Sequence, residues 1–192
     1  QPSKRSIELA SRTLKDPRIV ELILNESKKV IRYKKGLIVV QNHQGVILAN
    51  AGIDHSNVEQ DDEKEQVLLL PKDPDRSAEK IYNDLLTRTG FHLGVIINDS
   101  IGRAWRNGTI GTAIGVAGLP AILDLKGRDD LFGNPLQVSE QAIADELASA
   151  ASLIQGQADE AIPVVLIKGF KTLLDNIPAS GLIRDIKKDL FL

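Results

Sequence analysis

Between Ile110 and Gly118 the chain reads Ile-Gly-Thr-Ala-Ile-Gly-Val-Ala-Gly, and no other stretch limits the fold as strongly. Three glycines would each cost a helix roughly 1 kcal/mol relative to alanine, and the β-branched residues between them favour extended backbone. A strand is therefore expected here. Glycine inside a strand marks a place where a neighbouring backbone comes too close for a side chain. The segment should be covered by closely packed neighbours.

Helix signals frame it on both sides. Asp16-Pro17 and Asp73-Pro74 each join a capping acid to a proline suited to the first helical turn. The first predicts a helix over 17–31 with Ile19, Val20, Ile23 and Leu24 on its apolar face. The second predicts a helix with Ile81, Leu85 and Leu86 on its face, ended by Gly90 in a left-handed conformation. Ser6 to Leu14 reads as a further short helix. After Ser139, the alanine-rich Gln141–Ile154 carries Ile143, Leu147, Ala150, Ala151 and Ile154 on one helical stripe and stops at Gly156.

Strand signals are short. Leu37–Val40 and Val46–Ala49 flank the polar turn Asn42-His-Gln-Gly45, as an antiparallel hairpin would. Val67–Leu70, Leu93–Ile97, Ala121–Leu125 and Ile162–Ile167 read as further strands, and the polar Glu59–Gln66 as a surface loop. The sum is an α+β chain with mixed, largely antiparallel sheets and flanking helices, without regular βαβ alternation. Its length suits a single domain over 1–192.

Composition narrows the chemistry. With 24 Lys plus Arg against 26 Asp plus Glu, the formal charge is −2, so no basic excess points to nucleic acid or an anionic membrane. The absence of cysteine removes disulfides, thiolate metal sites and cysteine nucleophiles. His43, His55 and His92 have no metal-ligand spacing, and neither a Walker loop nor a GxGxxG is present. No apolar run reaches the roughly 18 residues of a membrane span. A soluble, cytoplasmic protein is expected, working through oxygen and nitrogen donors.

The candidate site is Asn98-Asp-Ser-Ile-Gly-Arg-Ala-Trp-Arg-Asn-Gly108, which concentrates an acid, a hydroxyl, two arginines and the single tryptophan. Asp99 and Ser100 are suited to a hard divalent cation, or to capping a helix or polar loop. Arg103 and Arg106 can receive carboxylate or phosphate oxygens bidentately, or lie solvated in a loop. Asp54 and Asn57 follow a strand and offer a cation and nucleotide site, or an Asx turn. Gln155–Glu160 is a helix-to-strand turn with two acids. Asp54 and Asp99, drawn from separate strand ends, would suffice for one or two oxygen-ligated ions.

Three motifs, Ala49-Asn-Ala-Gly-Ile-Asp54-His-Ser-Asn57, Asn98–Gly108 and Ala113-Ile-Gly-Val-Ala-Gly118, resemble the coenzyme F420-0:L-glutamate ligase family. So do Asp124-Leu-Lys-Gly-Arg-Asp-Asp-Leu-Phe-Gly133, Ala144-Asp-Glu-Leu-Ala148 and Gly156-Gln-Ala-Asp-Glu160, in the same order along the chain. The resemblance implies GTP-dependent addition of L-glutamate to coenzyme F420-0, then of further γ-linked glutamates. It implies Mg²⁺ or Mn²⁺, about two per site, with K⁺ as a helper, and a homodimer of the family's unusual α+β fold. Relative to the family, roughly 55–60 residues would precede Gln1, and the chain contains no methionine.

Position by position, the resemblance makes Asp54 and Asp99 metal-binding acids and Ser100 a hydroxyl ligand where the family commonly has threonine. Asn57 becomes a GTP contact. Gln155, Gly156, Gln157, Ala158, Asp159, Glu160, Ala161 and Ile162 match a nucleotide-contacting stretch. Gln157 falls where some members place a metal-binding glutamate, and it ligates without bringing charge. Arg103 and Arg106, by our own reading, hold incoming carboxylates. An amide-forming ligase with another acceptor, or a non-catalytic metal and nucleotide module, also fits these residues.

Overall fold

The computed structural model describes residues 1–60, 65–171 and 176–189, which cluster into two compact units, Gln1–Pro71 and Lys72–Leu192. Helices and small antiparallel sheets make up both, the α+β class expected.

The first unit opens with α1 (Lys4–Thr13) and α2 (Pro17–Asn25). Ser3 Oγ caps α1 by accepting from the Ser6 amide, and Asp16 caps α2 through the Arg18 amide, with Pro17 in the first turn as anticipated. Val20 and Ile23 are fully buried. The helix predicted to reach residue 31 ends at Asn25, because Ser27–Lys34 is a strand, β1. It pairs antiparallel with β2 (Leu37–Asn42), which pairs with β3 (Ile47–Ala49). Register shifts leave Lys28 and Ile31 as extra residues on β1, so its side chains do not alternate cleanly. Central β2 does alternate, burying Ile38, Val40 and Asn42. Val67–Leu70 forms no strand: only an isolated bridge, Leu68 to Asp54, is made, and Leu68 and Leu69 are exposed. Pro71 follows and cannot donate to a ladder. The Glu59–Gln66 loop falls partly outside the described residues.

In the second unit α3 (Pro74–Thr89) is capped by Asp73 and ended by Gly90 at φ 72°, as its signals required. Its buried side is Pro74 and Ala78, with Ile81 exposed, so the face is turned from the one expected. β4 (Val95–Gly102) and β5 (Thr109–Ala117) form an antiparallel hairpin. β4 runs five residues past the strand read over Leu93–Ile97, because Asn98–Gly102 continue the ladder opposite Ala113–Thr109. Ala121–Leu125 contracts to β6 (Leu123–Asp124), paired with β7 (Glu140–Gln141). α4 (Ile143–Gln155) follows. It buries Ile143, Ala144 and Ala148 and leaves Ile154 exposed, because small residues face the sheet. Ile162–Ile167 is not a strand: Val164 and Leu166 are exposed, and the segment has no ladder partner among the described residues.

The glycines of β5 set this unit's spacing. A methyl at Gly111 would overlap the Ala148 carbonyl and Ser152 of α4, and one at Gly115 the Pro74 carbonyl of α3. Two odd-numbered residues face opposite helices because the register shifts between Ile97 and Asn98, leaving Ile114 extra and moving the alternation by one. The other edge of β5 is closed by side chains. Ser152 Oγ accepts from Gly111 N at 3.2 Å, Asp145 Oδ1 from Ala113 N at 2.9 Å, and Asp75 Oδ1 from Val116 N at 2.9 Å. Asp75 also accepts from Ala179 and Ser180, tying the short helical turn Ala179–Leu182 to α3.

Gly115→Ala is accordingly expected to lower unfolding free energy by about 1–3 kcal/mol, the scale of overpacking against an unyielding backbone. Gly102→Ala, where nothing lies within 4 Å of the added carbon, should stay within about 0.5 kcal/mol in the same urea titration. Equal midpoints for the two would refute the close-approach argument.

Candidate functional site

Asp99 and Ser100 lie inside β4, opposite Thr112 and Gly111, rather than in a loop after a strand end or at a helix cap. Asp99 Oδ1 accepts from the Ser100 amide at 2.8 Å. One residue earlier, Asn98 Nδ2 donates to Gln155 Oε1 at 2.9 Å, and from β5 Thr109 Oγ1 donates to Gln157 Oε1 at 3.5 Å. The hairpin and the turn after α4 are thus joined at two points. The acid–hydroxyl pair and the Gln155–Ile162 stretch, far apart in sequence, sit on one scaffold.

That turn is built around Gly156, whose φ of 76° and ψ of −175° are open only to glycine. Its bare Cα lets the Glu160 carboxylate fold over it, and Ala158 N donates to Glu160 Oε2 at 2.8 Å. Backbone N–H groups, that of Ala158 foremost, hold the Glu160 carboxyl below its ordinary value. Ala161 is left-handed at φ 53°, Gln157, Ala158 and Asp159 are exposed, and Ile162 is 41% exposed.

At the hairpin tip, Arg103–Gly108, the Arg103 Nη2 donates to the Asn107 carbonyl at 3.3 Å, whereas its Nε is buried without a partner. Arg106 is exposed, and Trp105 projects with 90% of its surface accessible at φ 63°.

Asp54 and Asn57 belong to the first unit. Asp54 Oδ1 accepts from Ser56 N at 2.8 Å and Ser56 Oγ at 2.6 Å, which is the Asx-turn arrangement, while its backbone bridges Leu68. Just upstream, Asn50 and Ala51 both have positive φ, and Asn57 follows at 51°. Among the described residues six non-glycine positions have positive φ. One, Leu14, ends α1; the other five lie in Asn50–Asn57, at the hairpin tip and in the turn after α4. Backbone strain, costing of order 1–3 kcal/mol per residue, persists mainly where a site requires it.

No group of three or more His, Cys, Asp or Glu side chains converges on a cation position among the described residues. The donors in the second unit, Asp99 carboxylate, Ser100 hydroxyl and Gln157 carbonyl, are all oxygen, the chemistry that suits Mg²⁺ or Mn²⁺. Of the histidines, His43 contacts the Asn25 carbonyl, His55 pairs with Glu65 and His92 with Tyr82, all exposed.

The sequence alone assigned no separate role to Asn98, Thr109 or Asp145. The signal for the first was an amide ending the run Val95-Ile-Ile. Asp145, an acid within an alanine-rich helix, holds the Ala113 amide directly across from Asn98. Burial raises its carboxyl above the ordinary 3.8, and the hydrogen bond from Ala113 only partly opposes this.

Comparison with known proteins bears on all these segments. Residues 1–169 match the family described as F420-0:Gamma-glutamyl ligase. The chain is 46% identical over 190 residues to the coenzyme F420:L-glutamate ligase of Methanocaldococcus jannaschii, covering 99% of this chain and 74% of that protein. Against the coenzyme F420:L-glutamate ligase of Methanothermobacter thermautotrophicus it is 49% identical over 170 residues, covering 88% and 66%. The Archaeoglobus fulgidus protein of that name is 40% identical over 185 residues, covering 96% and 70%. These relatives are ligases. The chain belongs to the F420-0:gamma-glutamyl ligase family, and it spans 66–74% of the length of these three relatives.

Because the Asp145 carboxyl is raised in the folded chain, its ionisation opposes folding above the ordinary carboxylate range and has no effect below it. Asp145→Asn, which keeps an oxygen for Ala113, should therefore exceed the parent in Tm at neutral pH, with the gain fading as pH falls toward 3.8. Asp145→Ala should lie about 1–3 kcal/mol below Asp145→Asn, the cost of an unpaired buried amide. A pH-independent difference between parent and Asp145→Asn would contradict this.

Proposed function

We propose that this chain joins L-glutamate to coenzyme F420-0, with GTP as the energy source, and then adds further γ-linked glutamates. Its relatives carry that ligase name, and the observation in its favour within the fold is the double link of the β4–β5 hairpin to the turn after α4. Through Asn98–Gln155 and Thr109–Gln157, a carboxylate and hydroxyl suited to phosphate-bound cations share a scaffold with a glycine turn whose backbone N–H groups hold an anion, the Glu160 carboxylate. One fixed scaffold can orient both partners of a phosphoryl transfer.

The reaction forms an amide from a carboxylate, a poor leaving group. Transfer of the GTP γ-phosphoryl group to a carboxylate oxygen of the acceptor gives an acyl phosphate and GDP. The glutamate amine, in its free-base form, then attacks the acyl carbon and inorganic phosphate departs. In the second unit Asp99, Ser100 and Gln157, and in the first unit Asp54, are the residues proposed to bind Mg²⁺ or Mn²⁺, ions that when bound would supply neutralising charge at the phosphates. K⁺ would assist. Asn57 and Gln155–Ile162 serve the nucleotide, and the guanidiniums of Arg103 and Arg106 fix the reacting carboxylates by paired N–H donors. A homodimer acting in the cytoplasm completes the reading. Among the described residues no helix is long and apolar enough to cross a membrane.

Incubation with GTP, Mn²⁺, L-glutamate and F420-0 should yield a mass gain of one glutamyl residue with one GDP per amide. Asp99→Ala and Asp54→Ala should each lower kcat by about 100-fold or more, the scale of losing an electrostatic contact to a transferring phosphoryl group. Glutamylation that survives both substitutions would reject the site, and a folded parent that makes no product would reject the activity.

A further inference from the structure

We propose that Trp105, flanked by Arg103 and Arg106, is the stacking platform for the planar head of the acceptor, and so the element of this chain that selects a deazaflavin. The inference rests on the ligase reading, but its grounds lie in the hairpin tip. An indole that is 90% exposed forgoes the burial that large aromatic side chains normally gain. Its backbone is left-handed at φ 63°, a conformation costing a non-glycine residue roughly 1–2 kcal/mol. The fold thus spends strain to present the ring outward where a smaller residue or glycine would turn the chain more easily.

Arg103 supplies an independent sign. It has one hydrogen bond at Nη2, to the Asn107 carbonyl, and its buried Nε has no partner. A buried N–H left unpaired costs about 1–3 kcal/mol, so this rotamer is one that an arriving anion can improve on by drawing the guanidinium out. An exposed ring between two guanidiniums suits a ligand whose flat aromatic system lies next to an oxyanion.

The acceptor and the guanine base of GTP are both flat, and the groups beside the indole favour the acceptor. Asp99 and Ser100 lie within the ladder, and the tip lies beyond Gly102. In the proposed reaction the guanidiniums on either side of the indole hold the acceptor's carboxylate, whereas Asn57 and Gln155–Ile162 serve the nucleotide.

Trp105→Ala should raise the KM for F420-0 roughly 10- to 100-fold, the range of one lost aromatic stacking contact, and leave the KM values for GTP and glutamate and the Tm in place. Trp105→Phe should recover most of the loss. Titrating F420-0 without GTP should quench the tryptophan emission of the parent, all of which comes from Trp105. An unchanged acceptor KM in Trp105→Ala, or a rise confined to the KM for GTP, overturns the platform while the ligase reading stands. A parent that makes no glutamylated product rejects the ligase reading, and the emission titration then decides the platform alone, with unquenched emission overturning it.

Discussion

The second unit depends on how closely two helices approach β5. Where Gly111 meets the Ala148 carbonyl and Gly115 the Pro74 carbonyl, there is no space for even a methyl group. That approach brings Asp75, Asp145, Ser149 and Ser152 within reach of the strand's outer edge, where they take up its N–H and C=O groups. An edge strand with unpaired backbone would invite a foreign strand; here both helices occupy it. The apolar core behind it, Ala113, Val116, Leu119, Ala121, Ala144, Ala148 and Ala179, is made largely of alanine, consistent with stability that comes from close approach and satisfied amides more than from large side chains.

The parts of this architecture governed by local chemistry were legible beforehand. Asp-Pro starts at α2 and α3, the left-handed stop at Gly90, the β2–β3 hairpin and the glycine strand each follow from the conformational range of a few residues. What misled was altered periodicity. On β1 two extra residues, Lys28 and Ile31, break the two-residue alternation that would have marked a strand, so nothing local ends the helix before residue 31. In α3 and α4 the buried faces are occupied by Ala78, Ala144 and Ala148, whereas Ile81 and Ile154 are exposed. Side-chain size points the wrong way when the neighbour is a backbone. Val67–Leu70 and Ile162–Ile167 have strand composition without a ladder, because pairing is a property of partners and not of the segment.

The site was legible as a set of residues and less so as an arrangement. Asp99 and Ser100 were placed after a strand, yet they are within one, held by hydrogen bonds across from β5. The links Asn98–Gln155 and Thr109–Gln157 span more than forty positions each, and no local pattern announces them. Backbone strain is concentrated in the segments that carry the family's motifs, at Ala51, Asn57, Trp105 and Ala161, where the conformation runs against residue preference. Segments that keep such conformations are doing something that relaxed loops would not.

The extra residue Ile114 acts as a phase shifter for β5. On its inner side side chains follow one parity, and toward the tip they follow the other, so Gly115 and Gly111 answer to different helices. The shift is confined to β5, since β4 alternates without a break and Asp99 and Ser100 keep their sides of the ribbon. Four positions apart, Gly111 and Gly115 would share one face of an unbroken strand; the added isoleucine sets them on opposite faces, so a single strand makes room for two helices.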